Sequence, residues 1–338
     1  MVDLNEKHTT MGVLISTIPV LLFLSFLFLL DSFKLVRRNW LLLALVWGFV
    51  SAGLAYVVNT GIVRVSGMLF DDYSRYLAPA IEELLKAAFI FLLLAKKKAG
   101  FLIDAAVYGF AVGAGFALVE NSLYVYQNSD AGWLIWIIRG LGTAFMHGGC
   151  TALVAMMLIG AKLRGRHQPV AVVVAFVTVY MIHGLFNQFY VHPLLQTVGI
   201  VLTLPVFFVL LFNQSEKRVQ NWLEMEFSSE VELLQAINSG KLLDTKAGDY
   251  LSLLRSSFQP EVIVDMYCYL RLYLELSVKA KRNLMLRENG FPPLQEADIA
   301  DKLLEVKALR KRLGVVGERS LAPLIRMNYS TLWKLNQL

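Results

Sequence analysis

The sequence predicts an all-α membrane protein, a bundle of about seven transmembrane helices followed by a soluble helical domain at the C-terminus. Of its 338 residues, 57% are hydrophobic and 17% are charged, whereas a soluble domain is about 45–50% apolar and about 25% charged. The apolar residues are concentrated in residues 12–213, and the composition changes abruptly after them. We therefore expect a transmembrane domain at residues 1–213 and a helical soluble domain at residues 214–338.

Seven apolar stretches are long enough to cross the hydrocarbon core, which takes about 20 residues of helix. The first lacks the basic start and the small-residue cleavage site of a signal peptide, so we expect it to remain as a helix. The fifth exceeds the length of one span, so it is either tilted or begins after Arg139. The predicted spans are Met11–Leu30, Trp40–Val58, Leu77–Ala95, Ile103–Leu123, Trp133–Ala161, Val170–Tyr190 and Pro193–Asn213.

Basic residues in the loops alternate between the two sides of the predicted bundle. Cytoplasmic loops carry an excess of Lys and Arg, so the side with eleven basic residues is predicted to be cytoplasmic and the side with three to be outside. The N-terminus is then outside and the C-terminal domain is cytoplasmic. The eleven are Lys34, Arg37, Arg38, Lys96, Lys97, Lys98, Lys162, Arg164, Arg166, Lys217 and Arg218, and the three are Lys7, Arg64 and Arg75.

The net charge of +6 is modest and lies largely in these short loops. It therefore predicts contact with the lipid bilayer and no binding of nucleic acid. The two cysteines, Cys150 in a span and Cys268 in the tail, fall in different media, so no disulfide is expected between them.

The C-terminal domain shows helical patterning without a catalytic motif. Glu230–Asn238 is followed by Ser-Gly, which predicts a helix end, and Pro260 opens a long amphipathic helix that is closed by Asn289-Gly290. A charged helix at Glu296–Leu313 and a last segment at Leu321–Leu335 follow. We expect this domain to regulate the protein or to bind a cytoplasmic partner.

Polar residues inside the apolar stretches point to a functional site. An ionised side chain at the centre of a spanning helix costs about 2.5–3.5 kcal/mol on insertion scales. Such residues are retained where they pair with one another or line a wet cavity. Since successive helices run in opposite directions, these residues are predicted to meet in the outer half of the bilayer. They are Glu82, Glu83, Lys86, Glu120, His147, His183 and Asn187.

The third span carries more acid than base. Glu82 and Glu83 lie four and three residues before Lys86, so all three can meet on one helix face. A buried ion pair that orients two helices is the structural interpretation of this cluster. Because one lysine neutralises only one glutamate, the second carboxylate is available for general-base chemistry on water.

The other polar residues lie on three further spans. His183 and Asn187 share a helix face and can donate two hydrogen bonds to an oxyanion, although a membrane histidine also serves as a link between helices. Glu120 follows three glycines that permit close helix approach. The spacing of His147 carries no information by itself.

Taken in order, the patterns E-E-x-x-K, F-x-x-x-E-N, a His-Gly span and H-x-x-x-N resemble the PrsW family of intramembrane proteases. That family is related to the CAAX prenyl endopeptidases and their bacterial relatives. The resemblance covers Tyr76–Phe212. Glu120 stands where the CAAX endopeptidases have a histidine, and Lys86 lies three residues after the second glutamate, where they have an arginine four residues after it. The resemblance therefore implies cleavage of a membrane protein and not of a prenylated peptide.

The match also implies roles for individual residues. Glu82 or Glu83 would activate water, and His183 with Asn187 would bind the scissile carbonyl oxygen. The resemblance further implies a location in the bacterial inner membrane. The reaction would be the first, outer cut in a membrane signalling protein such as an anti-sigma factor.

His147 and Glu120 would complete the polar cavity. Because this family is often labelled as metalloproteases, zinc held by Glu83, His147 and His183 with an open fourth position is an alternative. The sequence has no H-E-x-x-H motif. We therefore expect water activation by glutamate without a metal cofactor, and keep Zn²⁺ as the second possibility.

Two other classes of function fit some of these residues. Glu/His chains also relay protons in transporters, but a transporter predicts inverted repeats and helices broken at mid-membrane, and no internal repeat is evident. A non-catalytic scaffold that binds membrane helices is the third class.

Overall fold

The computed structural model describes residues 2–31, 35–165, 167–294 and 296–325, without the side chains of 2–7, 215, 216 and 218–226. Lys34, Arg166 and most of the predicted last segment lie outside the described residues. All regular structure in the described ranges is helical, as predicted. These ranges divide into two compact units, one ending at residue 215 and the other beginning at residue 216.

The first unit is a bundle of apolar helices joined by short loops. In the described part of the chain, six helices are long and apolar enough to cross a membrane, which confirms the predicted helical membrane bundle. The helices are α1 (Val2–Leu29), α2 (Arg38–Ser66), α3 (Phe70–Tyr76), α4 (Ala78–Ala95), α5 (Leu102–Gln127), α6 (Trp133–Ile137), a π-helical segment (Ile138–Thr143), α7 (Ala144–Leu163), α8 (Gln168–Asn187) and α9 (Pro193–Asn238).

The third predicted span, α4, is not among those six because Glu82, Glu83 and Lys86 make it more polar. Its 18 residues extend about 27 Å at 1.5 Å per residue, close to the thickness of the hydrocarbon core. It packs against α2, α5, α7 and α8, so its charged residues lie inside the bundle.

Helix α5 forms the centre of this unit. Within its apolar stretch 83% of the residues are buried, against 17% in α8. Close packing here requires glycine: a Cβ on Gly113 would lie 2.2 Å from the carbonyl oxygen of His147, and one on Gly115 would lie 2.2 Å from that of Leu45. Gly113 therefore sets how closely α7 approaches α5 at His147.

We expect Gly113→Ala to lower the thermal stability of the detergent-solubilised protein. The added methyl meets a backbone atom that no side-chain rotation can move, and overpacking costs about 1–3 kcal/mol. Gly53→Ala is the matched control, because Gly53 also lies within a spanning helix and a Cβ there meets nothing within 4 Å. Equal melting temperatures for the two variants would contradict this account of the α5–α7 contact.

The second unit is a small helical domain with its own apolar core. Its core includes Leu270 and Leu274 of one helix and Leu309 of another. Beyond the end of α9 its elements are a 3-10 turn (Leu242–Asp244), α10 (Lys246–Leu254), α11 (Pro260–Glu288) and α12 (Ile299–Ser320).

Three of the predicted helix ends in this unit are confirmed. Helix α9 ends at Asn238, and α11 begins at Pro260 and ends just before Asn289-Gly290. A fourth predicted end, Leu313, is confirmed as well, whereas the predicted start at Glu296 is wrong because α12 begins at Ile299. Gly314, with φ of 64° and ψ of −174°, is non-helical and divides α12 into residues 299–313 and a second helical stretch that ends at Ser320.

Candidate active site

Lys86 is the centre of a fully buried polar cluster. Its Nζ lies 2.6 Å from Glu83 Oε1 and 2.9 Å from His147 Nδ1. An ammonium group only donates hydrogen bonds, so His147 Nδ1 accepts, and a neutral His147 carries its proton on Nε2. Lys86 thus joins α4 to α7 and selects the tautomer of His147.

The proton-bearing nitrogen of His147 faces Glu120. His147 Nε2 lies 2.7 Å from Glu120 Oε2, and the other carboxylate oxygen accepts from Arg139 Nη2 at 2.7 Å. Arg139 also packs over the Tyr124 ring, with 4.2 Å between the guanidinium carbon and the ring centre. Glu120 is therefore fixed between an imidazole and a guanidinium.

His183 connects the two adjacent glutamates of α4. Its Nδ1 lies 2.8 Å from Glu83 Oε1, and its Nε2 lies 3.8 Å from Glu82 Oε2. The first contact is a hydrogen bond; the second is too long for one but short enough for both atoms to contact the same water molecule. The space between Glu82 and His183 is thus where a small reactant fits.

A cavity of about 580 Å³ opens onto this cluster, a volume in the range of ligand-binding clefts. Glu82 lines it and is 15% exposed, whereas Glu83 is 1% exposed and does not line it. Asn187 lines it too, and its Nδ2 donates to the Ser74 carbonyl oxygen at 3.2 Å. The two acids therefore occupy different environments, one at the cavity and one in a buried ion pair.

All seven predicted site residues line the cavity or contact a residue that does, although they come from α4, α5, α7 and α8. Around the cavity the structure adds residues that the sequence analysis did not select. Asn59 Nδ2 approaches Glu82 Oε1 at 3.4 Å, and Tyr73 Oη donates to Asn59 Oδ1 at 2.8 Å. The sequence offers Arg139 as a possible span boundary, and a charge within an apolar stretch is itself a sign of a site.

Three residues of the site carry atoms that could bind a metal ion. Ligand atoms of Glu82, His147 and His183 all lie within 4.8 Å of one another. Glu82 takes the place that the predicted zinc set gave to Glu83, because Glu83 is turned toward Lys86. Neutral His183 fits zinc ligation, since its Nδ1 bonds a carboxylate and its Nε2 faces the cavity.

His147 does not fit such a site. Its lone-pair nitrogen, Nδ1, contacts the Lys86 ammonium, and its proton-bearing Nε2 contacts Glu120, so neither ring nitrogen offers a free lone pair to a metal position between the three residues. Lys86 also adds a buried positive charge beside that position, which disfavours a divalent cation. A zinc site would require the Lys86–His147–Glu120 contacts to break.

The chain was also compared with known proteins. Residues 36–211 match the model of a family described as the PrsW family intramembrane metalloprotease, a range that contains the whole cluster from Asn59 to Asn187. No curated protein matches, and no solved structure matches. The match covers more than half of the chain and confirms the resemblance drawn from the sequence motifs. The chain therefore belongs to the PrsW family of intramembrane proteases.

Proposed function

We propose that this intramembrane protease hydrolyses its substrate by water that Glu82 activates, without a metal. The observation that carries the proposal is that the two adjacent glutamates lie in different surroundings. Glu82 faces the cavity beside His183 Nε2, whereas Glu83 is buried against Lys86 and His183. Glu82 is thus the base, and Glu83 is a positioning residue for His183.

The reaction balances with Glu82 as the only proton carrier. Glu82 takes one proton from a water molecule, and the hydroxide oxygen bonds to the carbonyl carbon of the scissile peptide. The tetrahedral intermediate then breaks its C–N bond, and protonated Glu82 gives its proton to the departing nitrogen. The products are a carboxylic acid and an amine, and Glu82 returns to its starting state.

His183 and Asn187 stabilise the negative oxygen of the intermediate. Asn187 has two amide protons, and only one is needed for its bond to Ser74. His183 donates from Nε2 only as an imidazolium, with Nδ1 held by Glu83. Loss of one oxyanion donor typically costs about 2.7–4 kcal/mol of transition-state stabilisation.

The substrate is proposed to be a membrane protein that is cut at the outer end of a transmembrane segment. The alternating basic loops support this side, since they direct the second unit to the cytoplasm of a bacterial inner membrane. The first cut in a membrane signalling protein, such as an anti-sigma factor, has this geometry. The second unit is then available to a cytoplasmic partner.

Mass spectrometry of membrane peptides tests this function. We expect peptide ends near the outer end of a transmembrane segment in cells with the wild-type chain, and their absence with Glu82→Gln. Glu261→Gln is the matched control, an exposed glutamate in α11 that should leave the peptide ends unchanged. New ends confined to cytoplasmic segments would contradict the proposed side. Peptide ends that persist with Glu82→Gln would contradict the assignment of the base to Glu82, and ends that also persist in cells without the chain would support a non-catalytic scaffold.

A further inference from the structure

We propose that Arg139 and Asn121 act together as positioning residues for His147, an inference that rests on the proposed hydrolytic function. Asn121 does not line the cavity, and Arg139 lines it but directs its side-chain hydrogen bonds to Glu120 and Asn121. They act through Glu120, whose carboxylate holds the Nε2 side of the His147 ring at the cavity wall.

Asn121 is completely buried, and three hydrogen bonds use its side-chain amide. Its Nδ2 donates to the Ser16 carbonyl oxygen at 2.9 Å and to the Arg139 carbonyl oxygen at 3.2 Å. Its Oδ1 accepts from Arg139 Nε at 3.1 Å. Asn121 therefore holds both the backbone and the side chain of Arg139 and ties them to α1.

The π-helical segment brings Arg139 to the same face as His147. The Ala144 amide donates to the Arg139 carbonyl oxygen, five residues earlier, so this turn contains one extra residue. In a regular α-helix, residues eight apart point about 80° away from each other, and one extra residue reduces the angle to about 20°. Both side chains can then meet Glu120 on α5.

A series of contacts therefore links Asn121 to His147. Asn121 fixes Arg139, Arg139 fixes Glu120 Oε1, and Glu120 Oε2 contacts His147 Nε2. Without Arg139, the Glu120 carboxylate is free to rotate away from the imidazole. His147 then keeps a single polar ring contact, Nδ1 with Lys86, and its ring can shift against the His183 ring, whose centre lies 4.8 Å away. The displacement thus reaches His183, the proposed oxyanion donor.

Nitrogen NMR of the histidines tests this geometry independently of activity. The chain has five histidines, and His147→Asn assigns the resonance of interest in ¹⁵N-histidine-labelled protein in micelles. We expect wild type to show a distinct Nε2 proton signal at His147, set by the Glu120 carboxylate 2.7 Å away, and Arg139→Gln to lose it. Arg38→Gln, an exposed arginine in α2, is the matched control and should retain it. An unchanged His147 resonance in Arg139→Gln would overturn the proposal.

Cleavage kinetics supply the second readout. Arg139→Gln should lower kcat on the order of 10²-fold, the cost of a misplaced active-site group, with KM nearly unchanged. In a Glu120→Gln background the same substitution should have no further effect, because Arg139 acts through Glu120. An equal further loss in that background would indicate a general structural role and overturn the proposal.

Arg139→Lys covers the case in which the glutamine variant does not fold. Lysine keeps a donor for Glu120 but lacks the second donor for Asn121. We expect this variant to retain the Nε2 proton signal in part and a kcat between wild type and the glutamine variant. A full loss of the signal with normal kcat would separate His147 positioning from catalysis and contradict the proposal. If wild type cleaves nothing, the proposed hydrolysis fails while the NMR result still decides the geometry.

Discussion

Glu82→Gln should lower kcat by about 10²–10⁴-fold, the usual contribution of a general base, while the melting temperature stays near that of wild type. Glutamine keeps the size of the side chain and its contact with Asn59 but cannot take a proton from water. The measurement is the initial rate of cleavage of the mapped membrane peptide in proteoliposomes.

Glu83→Gln is the matched comparison, because it makes the same change one residue away. Glu83 Oε1 contacts both Lys86 and His183, so we expect a lower melting temperature together with lower activity. The opposite pattern would assign the base to Glu83: a stable but inactive Glu83→Gln beside an active Glu82→Gln. Normal rates in both variants would remove the carboxylate pair from the mechanism.

Lys86→Met should destabilise the protein by about 3–5 kcal/mol, the cost of leaving a buried charge without its partner. Methionine has a similar length but no charge, and Glu83 would keep only its contact with His183. The other oxygen of Glu83, Oε2, is buried and has no hydrogen-bond partner among the described residues. The carboxylate therefore depends on Lys86 for compensation.

A second substitution distinguishes lost charge balance from lost packing. Glu83→Gln added to Lys86→Met removes both members of the pair, so we expect the double variant to unfold at a higher temperature than Lys86→Met alone. Thermal unfolding in detergent measures both. A double variant that is less stable than Lys86→Met would show that the pair is not the source of the effect.

The sequence predicted the features that a lipid environment constrains strongly, which are apolar length and the absence of unpaired charge. Apolar length located the helices, and the penalty for buried charge selected the site residues on α4, α5, α7 and α8. It could not distinguish Glu82 from Glu83, because neighbouring residues on a helix point about 100° apart and hydropathy does not say which direction meets the cavity. That assignment depends on packing against α7 and α8.

Two other features were hidden for identifiable reasons. The second span was predicted to end at Val58, one residue before Asn59, because polar residues that line the cavity lower the hydropathy there. The helix in fact continues to Ser66, where Gly67 with φ of 65° caps it. The contact of Arg139 with Glu120 was hidden because the π-helical segment changes the face of the helix on which Arg139 lies, and no regular helical period predicts that change.

The activity and metal content of one purified sample test the central claim most directly. After exhaustive dialysis against a chelator, the proteoliposome enzyme should cleave at the rate of the untreated enzyme and contain far less than one zinc per chain by elemental analysis. This result is expected because Lys86 and Glu120 engage both nitrogens of His147. Loss of cleavage on chelation, restored in proportion to added zinc up to one equivalent per chain, would contradict the account.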